Sequence, residues 1–167
     1  MNHNLKIEYD DAVREYMDLI DYCGKHSDSI TIITQLKSPY SKITPNLKHN
    51  QLLKPIEPFL IEQVIGLKQW PGTITVALHN VLNRYRCCKE TRQFFAGAPN
   101  MLVSQGYLGL PEDICFYRNG NPWLITTSHE REMSMIDFTS EDRDFLDNHN
   151  IKYTEFHSDT NWKVLGI

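Results

Sequence analysis

Two short stretches carry side chains capable of chemistry. The first is Ser128-His129-Glu130-Arg131-Glu132, where a histidine stands beside carboxylates. Such a histidine can serve as a general base or a metal ligand. The spacing is not the H-E-x-x-H of a zinc site, and the segment follows a strand, where successive side chains point to opposite faces. His129 and Glu130 are therefore expected to diverge. The plainer reading is a polar turn whose histidine bonds locally.

The second stretch is Arg84-Tyr85-Arg86-Cys87-Cys88-Lys89. Neighbouring cations lower a thiol pKa and favour a nucleophile. A cysteine hydrolase also needs a positioned base, and none is encoded nearby. The plainer reading places Cys87 and Cys88 on a helix, one toward the core and one at its border. Arg84, Arg86, Lys89 and Arg92 then sit in the helix's second half, where cations suit the dipole. They spread around the circumference and form no narrow stripe.

Trp70-Pro71-Gly72-Thr73 reads as a connection into a helix N-terminus, a place where free N–H groups can hold an anion. No dinucleotide-binding, P-loop, nucleophile-elbow, EF-hand or kinase motif occurs. The sequence implies no cofactor and no metal.

The chain has 167 residues and a net charge of −4. Its pI of about 5.9 is too acidic for a general nucleic-acid binder. Hydrophobic residues make up 41% and charged residues 23%, which excludes intrinsic disorder. No apolar run reaches membrane-spanning length. The first residues lead into an acidic segment rather than an apolar one, so no signal peptide is expected. Cys23, Cys87, Cys88 and Cys115 contain no C-x-x-C pair and read as reduced thiols of a cytosolic protein.

Charge is segregated along the chain. Residues 1–29 carry three basic and seven acidic side chains, residues 34–92 nine and three, and residues 130–167 four and nine. These blocks either neutralise one another in the fold or leave opposed charged faces.

The elements that must position these groups follow from periodicity. Tyr9, Val13, Tyr16, Ile20 and Cys23 mark one face of a helix over 8–23, closed by Gly24. Asp11, Glu15 and Asp18 line its other face, a candidate contact for a basic partner. Ile30–Thr34 is a strand. The prolines between 38 and 58 indicate a long loop. Residues 60–70 fit a helix by spacing, but their β-branched content and the Trp-Pro-Gly stop favour a strand over 61–69. A second helix is expected over 74–96, with Ile74, Leu78, Val81, Tyr85, Cys88 and Phe95 on one face.

Asn119-Gly120 is the preferred dipeptide of a type I′ turn, so 114–118 and 123–127 should form a hairpin. Residues 133–138 suggest a third strand, Thr139 or Ser140 a cap for a short acidic helix over 141–148, and 151–156 and 162–167 two further strands. The expected fold is one α+β domain over 1–167, with two main helices and the short acidic one packed on a mainly antiparallel sheet.

The functional expectation is a small cytosolic, non-enzymatic module that binds another protein. An immunity- or antitoxin-like neutraliser of a basic partner is one concrete form. The rival is a small hydrolase or ligand-binding enzyme using His129 with a cysteine or carboxylate.

Overall fold

A computed structural model describes residues 2–8, 13–36, 51–97 and 110–158. Eight strands form one sheet in the order β10-β1-β9-β8-β7-β2-β6-β3, every neighbouring pair antiparallel. The strands are β1 (Asn2–Ile7), β2 (Ser29–Gln35), β3 (Leu60–Ile65), β6 (Asn80–Arg86), β7 (Glu112–Arg118), β8 (Asn121–Thr127), β9 (Glu132–Ile136) and β10 (Tyr153–Ser158). A separate two-stranded ribbon pairs β4 (Gln69–Trp70) with β5 (Thr73–Ile74). The α-helices are α1 (Val13–Lys25), α2 (Lys89–Ala96) and α3 (Ser140–Asn148), and a 3-10 helix spans Lys54–Phe59. The class is α+β.

Helices cover one face of the sheet. Tyr16, Leu19, Ile20 and Cys23 of α1, Phe95 of α2 and Leu146 of α3 share a core with Leu5, Ile30, Ile32, Phe116, Leu124 and Met135. Fully burying an aliphatic or aromatic side chain contributes about 1.5–3 kcal/mol, so this cluster dominates the fold. The other face is buried too, around Cys115, Tyr117, Ile125 and Ile136 and around Ile33, Trp70 and Leu82.

That second buried face explains the main correction. The helix expected over 74–96 is instead a strand over 80–86 followed by a helix over 89–96. Val81, Leu82 and Tyr85 are all buried although they point to different faces of the sheet. A strand buried on both sides loses its period-two signature and imitates one stripe of a helix. The first helix is described from Val13, residues 9–12 lying outside the described residues, and it runs through Gly24 to Lys25. Residues 51–59 are helical rather than loop: Pro55 stands in the first turn of the 3-10 helix, where proline is well tolerated, and Pro58 lies within it. The strand expected over 61–69 stops at Ile65, where Gly66 turns to a φ of 73°. The strand expected over 162–167 lies outside the described residues.

Trp70-Pro71-Gly72-Thr73 does not open a helix. It is the tight turn of the β4–β5 ribbon, with Gly72 at a φ of 85°. A proline followed by a left-handed glycine is the signature of a type II turn. The turn rests on β8 so closely that a Cβ on Gly72 would lie 2.6 Å from Thr127 Oγ1.

The β7–β8 hairpin turns at Asn119 and Gly120, with φ of 53° and 73°, and pairs Arg118 with Asn121. Gly120 N donates to Asp28 Oδ2 at 2.9 Å, which ties the turn to the segment before β2. A Cβ on Gly120 would meet nothing within 4 Å, so substitution there costs backbone strain alone. Gly120→Val is expected to lower stability by about 1–3 kcal/mol, read as a shift of the urea midpoint at unchanged slope.

Candidate interaction surface

The sheet ends in two edges of different character. Backbone N–H and C=O groups on an open edge are a template for another strand, and proteins usually blunt such edges with charge. The β10 edge is blunted: Thr154, Glu155 and His157 are exposed, and Glu155 accepts from Arg143 at 2.7 Å. The β3 edge exposes Ile61, Gln63 and Ile65, with Ile61 at 56% and Ile65 at 64%.

Hydrogen-bond parity shows which β3 backbone groups are open. Gly66 N donates to Asn80 O at 2.9 Å, and the ladder continues with Val64 opposite Leu82 and Glu62 opposite Arg84. Bonding alternates in an antiparallel pair. Glu62 and Val64 therefore turn their backbone groups inward to β6, and Gln63 and Ile65 turn theirs outward. Among the described residues no strand pairs with this outer side.

The chain leaving β3 extends the apolar surface. Leu78 O lies 3.4 Å from the Cβ position of Gly66, and Thr75 N donates to Lys68 O at 2.9 Å. Ile74, Val76 and Leu78 in this excursion are 81%, 97% and 54% exposed. Together with Ile61 and Ile65 these make five exposed branched apolar residues between positions 61 and 78.

Beside the edge lies an open cleft of about 380 Å³ lined by Leu53, Lys54, Glu57, Leu60, Asn83 and Tyr85. Asn83 is buried and its amide is fully used: it donates to Thr34 Oγ1 at 2.9 Å and accepts from Gln63 Nε2. Burial, with the Glu57 carboxylate adding to it, pushes the Tyr85 hydroxyl up to about 12. The cleft thus sets the charged Lys54 and Glu57 and the polar Asn83 and Tyr85 hydroxyl beside the apolar Leu53 and Leu60.

The residues expected to do chemistry are dispersed. His129 and Glu130 lie in the turn between β8 and β9, half exposed, with His129 Nε2 3.7 Å from Glu130 Oε1. They meet rather than diverge, because Glu130 N and Arg131 N bond back to Thr127 O and Ser128 O and curl the chain. Nearby, burial and the Asp113 carboxylate raise the Glu112 carboxyl, while its bond from Gln35 and the positive potential of His129 pull it back.

Cys87 and Cys88 are not on a helix; they link β6 to α2. The Cys87 thiol donates to Gly24 O, and burial pushes it up to about 12 against the opposing charge of Arg92. A thiol held protonated at neutral pH is a poor nucleophile. Cys88 caps α2, its N–H donating to Thr91 Oγ1 at 2.9 Å. All four cysteines are unpaired.

Of the acidic residues on the first helix, Asp18 is partly exposed; Asp11, and the side chain of Glu15, lie outside what is described. Arg84 is engaged elsewhere, 3.9 Å from Glu62 and over the Tyr117 ring. Among the described residues no group of His, Cys, Asp and Glu is arranged to hold a metal ion, and no helix is long and apolar enough to cross a membrane.

The sequence reading missed the β3 edge because a strand over 61–69 carries no information about its place in the sheet, and Ile74 and Leu78 were read as part of one face of a helix over 74–96. The one available signal was the alternation Ile61-Gln63-Ile65. No known protein family, curated protein or solved structure matches this chain.

Proposed function

We propose that this chain is a protein-binding module that docks its partner on the β3 edge. The observation that carries the reading is the coincidence of outward backbone groups at Gln63 and Ile65 with exposed Ile61, Ile65, Ile74, Val76 and Leu78. Strand addition uses the two in combination: main-chain bonds supply affinity and side chains supply selectivity. A neutraliser of a basic partner remains one form of the proposal.

The test compares capture from native lysate by the parent and by an Ile61→Lys/Ile65→Lys variant. Both positions are exposed, so the variant is expected to unfold within about 1 kcal/mol of the parent. Proteins retained by the parent should fall at least ~10-fold on the variant, because charge on an edge blocks strand addition. Equal retention by both proteins would contradict the assignment.

A further inference from the structure

We propose that the occupant of the β3 edge is a second copy of this chain, paired antiparallel through β3 about a two-fold axis at Gln63. The inference rests on the docking reading above and names its partner.

Three observations lead there. First, the strand Leu-Ile-Glu-Gln-Val-Ile carries an isoleucine two residues to either side of Gln63, with a β-bulge against β6 between Leu60 and Glu62 at its start. Cross-strand partners share a face of the sheet. Gln63 shares its face with Asn83, to which its side chain bonds, and Ile65 lies two residues on, opposite Val81. Setting Gln63 against Gln63 of a second copy brings Ile61 of each chain opposite Ile65 of the other. The register thus buries two isoleucine pairs that are exposed in the single chain, and it places two amide side chains side by side.

Second, backbone parity agrees with that register independently. Gln63 and Ile65 are the residues with outward N–H and C=O groups. A Gln63–Gln63 contact is therefore a hydrogen-bonded pair, in which each N–H donates to the other chain's carbonyl. A register shifted by one residue would set Gln63 against Val64, whose groups are already committed to Leu82, and would oppose side chains of different faces.

Third, the charges tolerate self-pairing. The only ionisable side chain within β3 is Glu62, and Arg84 of the same chain lies 3.9 Å from it. In this register Glu62 faces Val64 of the second copy, so no two like charges are directly opposed. The opposite edge of the sheet lacks these properties: β10 carries Glu155 and His157 and has no symmetric apolar pair.

Six residues of strand give a small interface of the weak, transient class, so pairing should be reversible and concentration-dependent. Sedimentation velocity over a range from about 5 µM to 1 mM tests this against the Ile61→Lys/Ile65→Lys variant. The parent should shift from monomer to dimer, and the variant should require at least ~10-fold higher concentration. Register is read by cysteine substitution under mild oxidation. Gln63→Cys should cross-link to a second copy, since hydrogen-bonded pairs hold Cα atoms about 5.5 Å apart. Glu62→Cys and the parent, with its four native thiols, should not.

A parent that stays monomeric at ~1 mM overturns self-pairing, and so does a dimer indifferent to the lysines or one cross-linked through residue 62. If the parent is monomeric yet lysate capture still depends on Ile61 and Ile65, the docking surface stands and its partner is a different protein. If capture is also indifferent, both readings fall.

Discussion

Asp142→Ala is expected to destabilise the protein by about 3–5 kcal/mol, the cost of removing one partner from a buried ion pair. Asp142 is fully buried and receives both nitrogens of the Arg118 fork, at 2.8 and 2.9 Å. It also accepts from the Tyr22 hydroxyl at 2.8 Å and from Thr139 N at 2.8 Å, closing the capping box of α3. Arg118 lies over the Trp123 ring, so the pair ties the β7–β8 hairpin to α1 and α3 at one point. Truncation leaves a partly buried guanidinium, an unpaired phenol and a Thr139 N–H without its capping-box acceptor.

The loss should depend on pH. Burial raises the Asp142 carboxyl, but the bonds from Arg118, Thr139 and Tyr22 outweigh it and hold the group below its ordinary value. A depressed folded pKa contributes stability that is complete above the unfolded value, about 3.9 for aspartate, and that disappears as pH falls through the folded value. Chemical denaturation at pH 7 should show the full gap between parent and variant. The gap should shrink steadily below about pH 4. A gap that is constant from pH 7 to pH 2 would exclude the ion pair as its origin.

Asp113→Ala is expected to cost about 3 kcal/mol or more. Asp113 is buried on β7, where Oδ2 accepts from Trp70 Nε1 at 2.8 Å and from the Thr73 hydroxyl at 3.0 Å. Oδ1 accepts from Ser128 N, and Asp113 N donates to Ser128 Oγ, both at 2.8 Å. One carboxylate thus fixes the β4–β5 ribbon and the turn carrying His129. Its φ of 54° adds strain for alanine, since Asp and Asn tolerate the left-handed region best. Asp113→Asn should retain the backbone and lose fewer acceptors, giving a smaller effect. In both variants amide exchange should quicken first in Gln69–Ile74, the ribbon whose anchor is removed.

How much of this was legible in sequence differs from element to element. The Asn119-Gly120 turn was readable because its chemistry is local: two residues decide their own φ. The strand at 30–34 was readable because its residues are β-branched throughout. Val81, Leu82 and Tyr85 were not readable as a strand, since burial on both faces erases alternation. The polar knots were invisible because their partners are far apart in the chain: Asp113 is 43 residues from Trp70, and Asp142 is 120 from Tyr22. The β3 edge was missed for a related reason. Hydrophobicity says that Ile61 and Ile65 prefer burial, but only sheet order shows that nothing described lies beyond them.

The direct test of that edge is amide hydrogen exchange across β3 at low micromolar concentration, followed residue by residue. Glu62 and Val64, bonded to β6, should be protected. Gln63 and Ile65 should exchange at nearly intrinsic rates, and should gain protection when concentration is raised or a partner is added. Protection of Gln63 and Ile65 equal to that of their neighbours in the dilute protein would mean the edge is already paired, and would contradict its assignment as a docking surface.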